Sequence, residues 1–121
     1  MIAISAATRC LVGVIPVDFR RGIDGFVFVV KEIVKQDPMG GALFVFRNRA
    51  QTAMKILFYD GQGYWLCHKR LSQGRFRHWP GANEAQDVWL CARELQVLLW
   101  NGDPSAAAFG PEWKKLPPPA L

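Results

Sequence analysis

The chain has 121 residues, of which 50% are hydrophobic, 12% aromatic and 21% charged. Disordered chains are poor in aromatic residues and strongly one-sided in charge, so this composition excludes them and indicates one packed domain. Fifteen Lys and Arg residues against ten Asp and Glu residues give a net charge of +5. The positive excess lies in residues 1–80, and it favours polyanionic partners because neutralised phosphates release their counterions.

The number and spacing of the cysteines indicate the cellular compartment and whether a metal site is present. Cys10, Cys67 and Cys91 are odd in number and too widely spaced for a disulfide framework or a Cys-x-x-Cys metal site. We therefore expect free thiols, no metal and no cofactor. The apolar run at residues 11–17 is too short for a membrane span or a signal peptide. The sequence thus predicts a cytoplasmic protein without membrane contact.

The first predicted elements are a strand and a helix. An apolar, β-branched run at Cys10–Ile15 predicts a strand that ends at a proline. Residues 18–22 have the composition of a turn. Apolar residues then recur at helical spacing, which predicts a helix over residues 25–35 with Asp24 as its N-cap. The proline and paired glycines of residues 37–41 end that helix.

From residue 42 the apolar pattern changes to a period of two, which is typical of half-buried strands. The connections between these strands are short and permit only antiparallel neighbours, so the strands form a meander. The predicted strands are Leu43–Arg47, Met54–Tyr59, Tyr64–Arg70 and Arg75–Trp79. Alternation along the last strand places Arg75, Arg77 and Trp79 on one side of it.

The C-terminal third predicts a second helix and a tail. The helix spans residues 84–100, begins at Asn83 or Glu84 and ends at an Asn-Gly pair. Residues 103–121 contain five prolines and are predicted to form an extended tail. The predicted fold class is α+β, an antiparallel meander of three to five strands packed with two helices. Residues 1–102 form the single domain and residues 103–121 the Pro-rich tail.

Few residues are spaced for catalysis or metal binding. Cys67, His68 and His78 form the only close group of soft ligands, but strand neighbours point to opposite faces, so Cys67 and His68 cannot share an ion. No Ser or Cys stands at a recognised spacing from a His and a carboxylate. A metal-dependent nuclease needs paired carboxylates, whereas the available acids have the positions of turn and cap residues. These acids are Asp18, Asp24, Asp37 and Asp60. We therefore expect that the protein is not an enzyme.

Basic and aromatic residues are interleaved between residues 47 and 77, where seven cations accompany one acid, Asp60. A sheet that offers guanidinium groups to phosphates and rings to bases suits nucleic-acid binding. Alternatively, the rings form the core and the cations are the solvated rim of the sheet. We interpret the rings as core, because Trp and Phe are mostly buried in a small domain, and assign the DNA contact to the cations.

Several segments follow one another in the order and spacing of a known family. They are Val17–Gly25, Asp37–Pro38 with Gly41, Leu43–Arg49, Lys55–Leu57 with Asp60–Gly61, Lys69–Leu71, and Gly74–Phe76 with Trp79–Pro80. Over residues 9–80 the chain resembles the small accessory protein of bacterial insertion sequences of the family numbered sixty-six, the product of the second reading frame, often labelled TnpB. The resemblance implies a non-catalytic helper of transposition, encoded beside a separate transposase and assumed to bind DNA.

Two hypotheses follow for the function. The first is a DNA-binding accessory protein of transposition, and the residues assigned to phosphates are Arg20, Arg21, Arg47, Arg49, Lys69, Arg70, Arg75 and Arg77. The first two of these could instead pair with acids of the same turn, Asp18 or Asp24. The second is an adaptor that docks on the transposase through the second helix and the tail. Its exposed apolar candidates are Trp89, Leu98 and Trp100.

Overall fold

The computed structural model describes residue 5 and residues 7–107, which form a five-stranded sheet with helices packed on both faces. The strands are β1 (Arg9–Val12), β2 (Leu43–Arg47), β3 (Ala53–Tyr59), β4 (Tyr64–Arg70) and β5 (Val88–Cys91). The helices are α1 (Ile23–Phe28), which continues as a π-helix over Val29–Val34, and α2 (Ala92–Leu99). Within these residues no helix has the length and apolar character needed to cross a bilayer. The predicted α+β class is confirmed.

The strands lie in the order β4-β3-β2-β1-β5. β2, β3 and β4 form the predicted antiparallel meander, in which Phe44 faces Leu57 and Leu57 faces Leu66. β1 is antiparallel to β5 but parallel to β2, with Cys10 opposite Leu43. A parallel pair requires a long crossover, which α1 and the π-helix provide between β1 and β2. The sheet is therefore mixed and mostly antiparallel.

Alternation along the strands fills a core on each face of the sheet. The core beneath α2 includes Cys10, Val12, Leu43, Val45, Met54, Ile56, Leu95 and Leu98. The core beneath α1 includes Leu11, Phe44, Phe46, Leu57, Phe26, Val29 and Val30. Because both faces are covered, every residue of β2 is buried, and Leu43–Phe46 form a continuous apolar run rather than an alternating one.

The predicted fourth strand, Arg75–Trp79, is wrong, because this segment is not a strand. Phe76 and Trp79 are three residues apart, yet both are buried in the core beneath α2. The N–H of Phe76 donates to the carbonyl oxygen of Gln51 at 2.7 Å. The indole Nε1 of Trp79 donates to the carbonyl oxygen of Gly13 at 2.9 Å. These two rings hold the segment across one end of the sheet. Buried residues that are three positions apart do not fit the alternation of a strand, which has a period of two.

The second predicted helix is only half helical. Val88–Cys91 form β5, because pairing with β1 satisfies the backbone groups on the facing sides of the two strands and Val88 and Trp89 are good strand formers. Asn83 and Glu84, the two residues predicted to start and cap this helix, precede the strand and cap no helix. α2 begins instead after Cys91, whose N–H donates to Oε1 of Glu94 at 3.0 Å while its side chain accepts from the Glu94 backbone. The predicted stop at Asn101 is confirmed.

The first helix begins two residues before its predicted start. Gly22 is the N-cap of α1, so Asp24 lies in the first turn and its side chain does not cap the helix. An acid at this position still favours the helix through the macrodipole. Lys35 adopts a left-handed conformation with φ 62° and ends the π-helix, and the turn at residues 37–41 follows as predicted.

Candidate nucleic-acid interface

The sheet topology gathers several loops at one end. β1, β2 and β4 direct their carboxyl ends to this end, because β1 is parallel to β2 and β3 runs back between β2 and β4. Backbone hydrogen bonds join the loops that follow: the N–H of Val17 donates to Arg47 at 3.1 Å, and that of Leu71 to Thr52 at 2.9 Å. We call this region the loop end, and it consists of residues 13–24, 47–52, 69–87 and 100–103.

The loop end holds all eight cations that the sequence assigned to phosphates, against five acids. Three of those acids are engaged within the protein: Asp18 by Arg20, Asp87 by the Val14 N–H at 2.9 Å, and Asp103 by the Ser105 hydroxyl. The opposite end of the sheet has equal numbers of cations and acids. It has Arg9, Lys31, Lys35 and Arg93 against Glu32, Asp37, Asp60 and Glu94. The fold therefore separates a cationic end from a balanced one.

Arg47 is buried and belongs to the core rather than to the surface. It is 8% exposed, its Nη1 donates to the carbonyl oxygen of Phe76 at 3.2 Å, and its guanidinium lies 5.2 Å from the ring centroid of Trp79. Burial lowers the pKa of this guanidinium, which stays charged because it starts far above neutrality. Arg47 thus fastens the segment that carries Phe76 and Trp79 to β2 and is not available to an external phosphate.

Lys69 is also engaged within the protein. It lies on the α2 side of β4, and its Nζ donates to the carbonyl oxygen of Leu99 and lies 5.1 Å from the ring centroid of Trp100. A cation at the end of a helix stabilises its unpaired carbonyl groups. Lys69 therefore joins β4 to the end of α2, and its charge stays beside the exposed ring of Trp100.

Arg20 forms an ion pair with Asp18, one of the two acids with which the sequence allowed it to pair. Its Nη2 lies 2.7 Å from Oδ2 of Asp18, and its Nε donates to both oxygens of that carboxylate. The hydrogen bonds from Arg20 lower the pKa of Asp18 to about 2, and those to Asp18 raise the pKa of Arg20. The side chain of Arg20 is nevertheless 91% exposed. Its charge is partly offset but remains accessible.

The other five assigned cations are exposed arginines at the loop end. Their side chains form no hydrogen bond or ion pair with any residue in the described part of the chain. They are Arg21, Arg49, Arg70, Arg75 and Arg77. A groove of about 510 Å³ runs between residues 16–20 and 48–50, with Arg20 and Arg49 on its walls. The loop end thus presents exposed guanidinium groups from three of its segments.

The soft ligands are dispersed. Cys67 packs against the core beneath α2, whereas His68 lies on the other face, 5.8 Å from the ring of Phe19. Partial burial, together with Lys55 and Arg70, lowers the pKa of His68. No group of three or more His, Cys, Asp or Glu residues able to hold a metal ion occurs in residues 5 and 7–107. Cys10, Cys67 and Cys91 form no disulfide with one another.

The apolar residues assigned to an adaptor surface do not form one surface. Trp89 lies in β5, partly buried against the core beneath α1, and Leu98 is buried beneath α2. Only Trp100 is exposed, at 85%. Trp89 and Trp100 do not lie on one helix face, although both fall in or beside the predicted second helix, because α2 begins after Trp89. Residues 108–121 of the predicted tail lie outside the described residues.

A family model described as IS66 Orf2 like protein matches residues 8–107. The chain belongs to the IS66 Orf2-like family. Membership places it among the accessory proteins of insertion sequences. The match extends beyond the residues that carried the resemblance in the sequence, so β5 and α2 belong to the family unit together with the meander.

Two curated relatives are similar to this IS66 Orf2-like chain, and both come from Sinorhizobium fredii (strain NBRC 101917 / NGR234). The uncharacterized protein y4hO is 40% identical over 82 residues, which cover 68% of this chain and 70% of that protein. The uncharacterized protein y4jC is 40% identical over 76 residues, which cover 63% of this chain and 65% of that protein. No solved structure matches the chain.

Proposed function

We propose that this IS66 Orf2-like protein is a non-catalytic accessory protein of transposition that binds the phosphates of DNA with its loop end. The observation that carries the proposal is the separation of charge between the two ends of the sheet. Five exposed arginines, whose side chains form no hydrogen bond or ion pair with the described residues, gather at the loop end, whereas cations and acids balance at the opposite end.

The arginines suit this role because their supporting loops are tied together. Segments 13–24, 47–52 and 69–87 of the loop end are joined by backbone hydrogen bonds from Val17 to Arg47, from Leu71 to Thr52, and from Phe76 to Gln51. Guanidinium groups bind phosphates with paired, charge-assisted hydrogen bonds. Loops that are already ordered lose less entropy on binding, so these cations can hold a DNA backbone without a folding step.

The engaged carboxylates support a non-catalytic role. Asp18 binds Arg20, Oδ2 of Asp60 accepts from the indole of Trp65 at 2.7 Å, and Oδ1 of Asp37 accepts from the N–H of Met39 at 2.9 Å. A two-metal nuclease needs carboxylates that converge on one point. These acids instead stabilise separate turns.

The test is charge reversal at the loop end, with Arg75→Glu and Arg77→Glu combined. We expect weaker binding to every duplex sequence alike, because phosphate contacts do not distinguish bases. The slope of log affinity against log salt should fall by about 2, since each lost phosphate contact contributes about 0.9. Fluorescence anisotropy with labelled duplex at several salt concentrations measures both quantities.

The matched control reverses two cations at the opposite end, Lys31→Glu and Lys35→Glu, which changes the net charge by the same amount. We expect this control to keep the wild-type salt slope. An equal loss in both double variants would contradict a localised site and show that only net charge matters. If the wild-type protein does not bind DNA even at low salt, docking on the transposase becomes the better hypothesis.

A further inference from the structure

We infer that Trp100 stacks on an unpaired base of the bound DNA, so that the preferred ligand combines a duplex with a single-stranded segment. The inference rests on the proposed DNA binding and adds the kind of DNA that is bound. Trp100 is 85% exposed, more than Ile15 at 61% or Met39 at 57%. A large ring kept in water at the cationic end of the molecule is a candidate for ligand contact.

The backbone position of Trp100 is fixed by the end of α2. Trp100 is the C-cap, and the following Asn101 has a left-handed φ of 63°. The N–H of Gly102 donates to Val97 at 2.8 Å and that of Asn101 to Leu98 at 2.9 Å, which together close a Schellman motif. The backbone under the ring is therefore ordered before any ligand arrives.

The neighbours of the ring are cationic and polar. Nζ of Lys69 lies 5.1 Å from its centroid, and the side-chain amide of Asn101 donates to the carbonyl oxygen of Arg75 at 3.0 Å. A protein partner would favour an apolar surround for a buried Trp anchor. An aromatic ring with the Lys69 cation beside it, at the cationic end of the sheet, instead matches single-stranded nucleic acid, where bases stack on rings and cations follow the phosphates.

Trp65 provides a matched contrast at the opposite end of the sheet. It is 47% exposed, but its Nε1 donates to Asp60 at 2.7 Å, and its ring stacks on Phe58 with a centroid distance of 6.1 Å. The indole N–H of Trp65 thus binds a carboxylate and its ring lies against another aromatic ring, whereas the side chain beside the Trp100 ring is a cation, Lys69. Trp65 is therefore an exposed tryptophan without the surroundings that a stacking site needs.

The experiment compares a blunt duplex with the same duplex carrying a short unpaired overhang. We expect Trp100→Ala to lower the affinity for the overhang duplex by about five-fold to a hundred-fold, the usual effect of losing one base stack. The affinity for the blunt duplex should stay at the wild-type value. Trp65→Ala should change neither affinity, and Trp100→Phe, which keeps a ring, should retain most of the preference for the overhang.

The outcomes separate this inference from the proposed function. If wild-type protein binds neither DNA at low salt, the proposed function itself fails. If wild-type protein binds both DNAs but Trp100→Ala lowers both affinities equally, or neither, DNA binding stands and the stacking role is overturned. Urea denaturation of each variant excludes unfolding as the cause of a loss.

Discussion

Charge at the two ends of the sheet is used differently. At the balanced end, Asp60 accepts hydrogen bonds from the Trp65 indole and from the backbone of Gln62 and Gly63, which lowers the pKa of Asp60. At the loop end, Arg20 and Arg47 are engaged within the protein while five other arginines are not. The comparison shows that the number of cations in a region overestimates how many can bind a ligand. Cations that already contact groups within the protein have to be subtracted first.

Arg47 and Arg49 show the difference over two residues. Arg47 ends β2, faces the core beneath α2 and contacts Phe76 and Trp79. Arg49 lies past the end of the strand, is exposed and borders the groove beside Arg20. The same side chain therefore supports the structure at one position and is free for a ligand at the other.

The largest effect on stability is expected for Phe76→Ala. Phe76 is fully buried in the core beneath α2, and truncation of such a ring lowers the free energy of unfolding by about 3–5 kcal/mol. Arg75→Ala, at the exposed neighbouring position, should change it by less than about 0.5 kcal/mol. Urea denaturation measures both variants. If both substitutions lowered the free energy of unfolding by the same amount, the distinction between a buried anchoring ring and an exposed arginine in this segment would be wrong.

A smaller loss is expected for Arg47→Ala. It removes a hydrogen bond from a charged donor and a ring contact, but it also relieves the desolvation of the guanidinium, so the net loss is about 2 kcal/mol. Arg49→Ala should leave stability nearly unchanged and should lower the salt slope of DNA binding by about 0.9. A lower salt slope for folded Arg47→Ala would show that the buried arginine reaches phosphate after all.

The smallest effect is expected for Asp18→Asn, measured as stability against pH. The pKa of Asp18 in the folded protein is about 2, below its ordinary value of 3.8, because of the hydrogen bonds from Arg20. The pair therefore stabilises the fold above pH 3.8, and this contribution disappears as the pH falls towards 2. Asp18→Asn should lose less stability over that interval than the wild type. Identical pH profiles would show that the exposed pair contributes nothing.

Local patterns predicted much of the fold. The meander of β2 to β4 and the first helix follow from periodicity and turn residues, which act over short distances. β5 was missed because strand formation there depends on β1, and the apolar stripe of residues 88–99 fits a strand followed by a helix as well as one helix. The segment at residues 75–79 was misassigned because burial of Phe76 and Trp79 depends on partners from other segments.

The sequence also predicted part of the candidate site. The basic composition identified the arginines, and the topology then brought them to one end. The sequence did not reveal that Arg47 is buried, because its ring partner Trp79 is distant along the chain. It also gave no sign that Asn101, predicted only as a helix stop, would hold the backbone of Arg75.

The pairing of β1 with β5 has a consequence for the order of folding. Arg9 faces Cys91 in the register, so the first strand of the chain can pair on its outer side only after the last strand has been made. The meander depends on contacts close in sequence and can form early, whereas closing a long loop is slow. During synthesis, β1 therefore remains without its outer neighbour until β5 has left the ribosome. A chain that stops before residue 88 would lack both β5 and α2, leaving β1 as an open edge available for pairing with other chains.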